Sequence, residues 1–456
     1  MNNQINDLGL IKPIILALAV SPILCSGEVK TLTDATTLLE SMGNPNDSDL
    51  MKKVGVKVGA WLNGGVTYNT NNPSNHFNGP VTFGDRDSEF QLNQLNLYLQ
   101  RAVAAEGDSW DFGGRFDFMF GTDSIFTQAY GVPAFDVNSQ APLNRGAWDL
   151  NFLGSNSNRF YVIALPQAYV EAYIPIGNGL NVKAGHFYTP IGYETVPAPD
   201  NFFYSHAYTM QYGEPFTHTG IMANYTINNN FAVMGGVVTG SATGGWDGNF
   251  DKQLGNWSGL MGATWTSTDK NTSFNISGTY GGTSEHSNKD WAIYSMVFKH
   301  NITDKFHMML QHDHGYADKV TTAFSSSLTN PQDAEWYGIN SHWTYDVLDN
   351  LAAGVRLEWF QDQKGFRVCS PGRVSAATDN SNVSFASGGS FLSSCTPGSY
   401  YEVTAGVNWK PLKWLNIRPN IRYDWVDAIA LAAPAGPFGT NKDHQLLFST
   451  DFNINF

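Results

Sequence analysis

Apolar and polar side chains alternate with a period of two along most of this chain. In Trp110–Phe120, Phe112, Phe116, Phe118 and Phe120 fall on one face, and Asp111, Arg115 and Asp117 on the other. Such alternation reads as a half-buried strand. The pattern recurs in sixteen segments: 54–68, 89–103, 110–121, 166–175, 180–190, 216–227, 231–240, 258–267, 272–282, 290–299, 305–316, 334–346, 350–361, 400–410, 414–425 and 444–456. Many exceed the roughly five or six residues usual in soluble strands and approach the roughly 9–11 that cross a bilayer at a tilt.

The connections carry a second pattern. Short turns at 106–109, 176–179, 227–230, 267–271, 300–304, 346–350 and 410–414 interleave with longer stretches at 69–88, 122–165, 191–215, 241–257, 283–289, 317–333, 362–399 and 426–443. A soluble sandwich has no reason to gather its long loops at one end. The spacing predicts an all-β fold: a transmembrane antiparallel β-barrel of about sixteen strands, with short periplasmic turns and long extracellular loops. In the last segment Leu446, Phe448, Phe452, Ile454 and Phe456 share a face, and the chain stops at Phe456. That ending resembles the signal read by the barrel-assembly machinery, an expected partner alongside outer-membrane lipid.

Residues 1–27 read as a signal peptide: Lys12 precedes an apolar stretch, Pro13–Cys25, too short to span a bilayer as a helix. The alternative, a lipoprotein acylated at Cys25, fits poorly because Pro-Ile-Leu precedes the cysteine. Residues 28–53 form an N-terminal periplasmic segment. Leu32, Ala35, Leu38 and Leu39 have helical spacing there and predict a short helix, with a frayed tail as the alternative. The barrel occupies 54–456. In an oxidising compartment Cys369 and Cys395 are expected to form a disulfide.

Composition then narrows the function. Charged residues make up only 14% of the 456 residues, and Asp plus Glu outnumber Lys plus Arg by 40 to 26. A nucleic-acid partner is excluded, because phosphate neutralisation needs basic surface. In a barrel the apolar row faces lipid and the polar row the lumen. Trp61, Tyr98, Trp110, Trp265, Trp291, Trp343, Trp359, Trp409 and Trp425 are expected in the interfacial girdles. Arg115, Asp117, Glu171, Lys183, Arg356, Glu358, Glu402, Arg418, Arg422 and Asp424 are the candidate pore-lining residues. Five are basic and five acidic, so the strands alone predict little ion selectivity; any one of them could equally pair across strands and only hydrate the wall. Loop 191–215, rich in aromatics and without alternation, could fold inward and narrow the pore or cap the outside, and the longer 122–165 could do the same.

Other chemistry has weaker support. His312 and His314 share a strand face beside His307 and Asp313, which suits either a metal or a polar strand end. No spacing of Ser, His and Asp singles out a nucleophile, so no catalytic residue is assigned, and no cofactor is implied.

The stretch 181–220 resembles the OmpL-like putative beta-barrel porin family. The matching residues are Gly185, Phe187, Thr189, Pro190, Gly192, Glu194, Tyr204, Ser205, His218, Thr219 and Gly220, and 165–175 looks similar too. The resemblance implies an outer-membrane channel for small solutes. The sequence is therefore read as a porin, not an enzyme, passing ions and small hydrophilic solutes by passive diffusion through a water-filled lumen. The alternative is a surface-exposed receptor or adhesin barrel whose lumen is closed by loops. Barrels of this size are often homo-oligomers, and no interface signal decides the point.

Overall fold

The computed structural model describes residues 29–74, 76–127, 134–135, 142–143, 161–239, 257–282, 290–320, 332–368, 396–428, 437–438 and 442–456. Residues 1–27, Cys369 and Cys395 lie outside that set, and so do the signal-peptide and disulfide expectations.

Sixteen antiparallel strands close into one barrel. They are β1 (Lys57–Asn69), β2 (Phe90–Arg101), β3 (Asp111–Gly121), β4 (Val162–Ile174), β5 (Leu180–Tyr188), β6 (Thr217–Thr226), β7 (Phe231–Thr239) and β8 (Trp257–Thr266), then β9 (Thr272–Gly282), β10 (Asp290–Asn301), β11 (Phe306–Val320), β12 (Gln332–Leu348), β13 (Leu351–Asp362), β14 (Gly398–Leu412), β15 (Leu415–Ala428) and β16 (His444–Asn455). Each pairs with its sequence neighbours, and β16 returns to β1 with Gly65 opposite Asp451. The Phe456 amide donates to the Ala60 carbonyl at 2.8 Å and continues that seam. Closure pairs every strand on both sides, which a lipid surround demands of any backbone crossing it. Seven turns and eight longer connections alternate as expected, although 102–110 outruns 283–289, so end rather than length separates the two classes.

The outer wall carries the apolar row: Leu97, Leu99, Phe116, Val170, Ile221, Val237, Leu357, Ile421 and Phe448 are all exposed there. Six of the nine predicted girdle residues agree with that wall. Trp61, Tyr98 and Trp291 do not, because the register turns them inward. Trp61 sits opposite Asn96 and donates from Nε1 to Gln94 Oε1 at 2.8 Å. Tyr98 lies under the Arg115 guanidinium, 4.3 Å from its ring centre. Trp291 is 2% exposed against Phe366. The inner wall is not uniformly polar either. Met222, Val238, Leu260 and Ile293 face inward and pack with Phe187 and Ile191. His312 and His314 face outward, on either side of the inward Asp313, where Tyr294 packs edge-on to both rings.

The N-terminal segment is helical, but later than the spacing predicts: α1 is Leu38–Met42 and α2 is Asp49–Val54. Thr31 and Asp34 bond each other and their own backbone, a local turn that competes with helix. Asn46 pairs through its amide with the N–H and C=O of Val58, both at 2.8 Å. Trp414 Nε1 donates to the Leu32 carbonyl at 2.8 Å. The segment therefore rests on the short-turn end of the barrel, and β1 begins at Lys57.

Ile421 points outward midway along β15. Ile421→Arg should lower barrel stability in a bilayer by about 2–4 kcal/mol, read by urea titration, as for a cation near the membrane midplane.

Candidate functional site

The segment 189–216, between β5 and β6, folds into the lumen. Its two ends meet: the Thr189 amide donates to the Phe216 carbonyl at 3.0 Å, and Thr189 Oγ1 bonds His218 Nε2 at 2.8 Å. Gly192 has φ +91°, and any Cβ there would overlap the Glu214 carboxyl. The polypeptide between them has no strand alternation and no partner strand, so its backbone groups need acceptors and donors from the wall.

The wall of β13–β15 supplies them. Arg356 Nη1 donates to Glu194 Oε1 at 2.6 Å and to the Ser205 carbonyl at 2.7 Å, while its Nε bonds Glu402 at 2.8 Å. Glu358 accepts from the amides of Tyr208 and Thr209, both at 2.6 Å, and from the Thr209 hydroxyl at 2.5 Å. Arg418 Nη1 reaches the carbonyls of Ala198 and Asn201 at 2.8 and 2.6 Å, and its remaining nitrogens pair with Asp451. Arg422 Nη1 donates to the His206 carbonyl at 2.6 Å, and Asp424 accepts from the Tyr208 hydroxyl at 2.8 Å. From β2, Gln94 bonds both the Val196 carbonyl and the Ala198 amide.

Glu194 shows how the charges balance. Burial alone would raise its carboxyl, but Arg356, then His206 and His342, hold it well below the usual carboxylate range. His206 and His342 stand 3.3 and 3.4 Å from it. An isolated buried charge would cost several kcal/mol, and here the ions and their hydrogen bonds offset one another.

Residues 76–89 also enter the lumen and pack on this loop. Phe83 meets His206 with ring centres 4.2 Å apart, and Gln211 accepts from the Thr82 amide at 2.7 Å. Tyr208, Tyr212, Trp336, Phe360, Phe366, Tyr400 and Phe438 form an aromatic core against β12–β15. Side chains alone do not fill a barrel of this size; inward loops fill much of it here.

All ten charged candidates face inward, but in two environments. Arg356, Glu358, Glu402, Arg418, Arg422 and Asp424 are sealed beneath the loop, none more than 6% exposed. Asp117 is also buried, paired with Arg115 at 2.6 Å. Arg115, Glu171 and Lys183 keep partial exposure on the β3–β5 wall. Lys183 sits opposite Glu171 in register, with its ammonium 4.3 Å from the Tyr169 ring centre. Facing this wall, Thr195 and Asp200 are exposed on the loop. The partial burial of its carboxyl in the gap raises Asp200 above the ordinary range, and Arg115 across the gap offsets only part of that rise. A cavity of about 280 Å³ opens between Tyr188, Thr195, Asp200, Met210 and Phe216.

Alternation found the wall charges but missed their partners Glu194, Ser205, His206 and Asp451, and it missed Gln94 and His342, which meet the loop itself. Of the two loops considered, 191–215 is seen inside the lumen. Most of 122–165 lies outside the described residues.

Known structures share the architecture. The outer membrane channel DcaP of Acinetobacter baumannii aligns with TM-score 0.52 and 11% identity over 89% of this chain and 98% of its own. An anion-selective porin from Comamonas acidovorans gives 0.50 and 9%, over 88% and 99%. Pseudomonas putida OprB, in its high-pH structure, gives 0.50 and 11%, over 90% and 96%. At such identities the likeness shows the fold alone. No curated protein matches the sequence. Residues 55–456 match the family described as putative beta-barrel porin-2, OmpL-like. The chain belongs to that family, and it is an outer-membrane porin.

Proposed function

We propose that the protein lets ions and small hydrophilic solutes diffuse passively through an off-centre passage between loop 189–216 and the β3–β5 wall. One observation carries this: the inward charges divide into a sealed set under the loop and a half-exposed set, Arg115, Glu171 and Lys183, opposite Asp200. The sealed set holds the constriction in place. The half-exposed set meets the solute. Its charges nearly balance, with Arg115 on Asp117, Lys183 opposite Glu171, and Asp200 left over. Selection then rests mainly on width, with a weak preference for cations that salt screens. The reading assigns the protein no catalysis. It places the short turns and the N-terminal segment in the periplasm, and makes the strand ending at Phe456 the assembly signal.

The filled half of the lumen is what favours the alternative, a receptor barrel closed by loops. Planar-bilayer recording separates the two. The channel reading predicts stable unitary current steps and a reversal potential weakly on the cation side. Asp200→Asn should move that potential toward anions, and Lys183→Gln should move it further toward cations. A folded, inserted protein that carries no current would support the receptor instead.

Arg356→Ala should leave Glu194 and Glu402 buried without their cation. The docked loop should lose about 3–5 kcal/mol, seen as protease cleavage within 189–216 while the barrel stays folded.

A further inference from the structure

The loop leaves the lumen past a pair of acidic groups that no Lys or Arg among the described residues pairs with. Glu214 near its end and Asp313 on β11 are 1% and 0% exposed. Gln311 Nε2 donates to both carboxyls, to Asp313 Oδ1 at 3.0 Å and to Glu214 Oε1, and lies 3.2 Å from Ser295 Oγ. Gly192 closes the other side of Glu214; the Ser295 hydroxyl on β10 faces the Asp313 carboxyl, and Asp313 Oδ2 is buried with no hydrogen-bond donor among the described residues. The nearby arginines are committed elsewhere: Arg356 to Glu194 and Glu402, Arg422 to Asp424, and Arg367 through Nε to the Tyr212 carbonyl. The other titratable groups that act on the pair are Glu194 of the loop and His312 of β11. From β12, Trp336 donates to the Gly213 carbonyl at 3.1 Å and brings no charge.

Two ionised carboxylates in such a place repel each other strongly. One retained proton turns the repulsion into an O–H···O bond, as in other carboxyl dyads. We propose that Glu214 and Asp313 share one proton, and that this shared proton latches the end of loop 189–216 to β11 and loosens the constriction when it is lost. Burial first, and Asp313 second, push the Glu214 carboxyl well above its ordinary range. The docked loop therefore binds the proton more tightly than an undocked one. Docking is strongest below the ordinary carboxyl range and weakens as pH rises through the raised value.

Only the electrical readout rests on the porin reading, so two measurements are paired. Single-channel recording from mildly acidic to alkaline pH should show open-state noise and mean conductance rising at the alkaline end in the natural protein. Glu214→Gln places a permanent amide donor against Asp313 and should abolish that rise. Infrared spectra of the folded protein should show a buried carboxylic-acid C=O band that titrates at raised pH and is lost in both Glu214→Gln and Asp313→Asn. Heat-modifiable migration on gels verifies that each variant is folded. A natural protein without the acid band, a flat pH profile, or a Glu214→Gln channel that follows the natural one would overturn the latch. Absence of current at every pH would overturn the porin reading instead, and the infrared band would still decide the latch.

Discussion

Arg356 has no exposed surface, and its guanidinium is divided between wall and loop: Glu402 on β14, Glu194 and Ser205 on 189–216. Arg418 and Arg422 repeat the arrangement, each bonding a wall carboxylate and a loop carbonyl. A guanidinium suits this role because its planar fork stays charged and points several donors in fixed directions. Buried ion pairs add little net stability, since desolvation consumes most of the attraction. What they supply here is position. A loop set even slightly differently would leave the loop-facing donors of three arginines, and the carboxylates of Glu194 and Glu358, without their partners, so one seating is strongly favoured.

That seating decides what the barrel can do. Closure satisfies the backbone and fixes sixteen strands around a wide interior. The inward loops then occupy the β12–β15 side, where aromatic rings pack as in a soluble core. The β3–β5 side stays partly open, lined by Arg115, Glu171 and Lys183. Function follows from this asymmetry rather than from the barrel alone, which is why the same architecture can serve solutes of different size and charge.

The strands were legible because lipid imposes a strict rule on one face only. Leu357, Ile421 and Phe448 had to be apolar, and their alternation set the register that turns Arg356, Glu358 and Asp424 inward. The inner face obeys no equivalent rule. Trp61, Tyr98 and Trp291 therefore read as girdle residues, although each packs inside, and Met222 and Leu260 gave no sign that they line the lumen. The partners of the wall charges were illegible for a different reason. Glu358 meets the Tyr208 amide across 150 residues of sequence, and Arg418 meets the Ala198 carbonyl across 220. Nothing periodic links such positions. The loop itself was visible only as a block without alternation.

Thiol accessibility tests the division of the lumen most directly. Lys183→Cys places a thiol on the half-exposed wall, and Thr404→Cys places one beneath the loop, where Thr404 is fully buried. A small water-soluble thiosulfonate added to single channels should lower the conductance of Lys183→Cys promptly and leave Thr404→Cys and the natural protein unchanged. Equal or faster modification of Thr404→Cys would mean that water reaches the β13–β15 wall, and would contradict the sealed half on which the account depends.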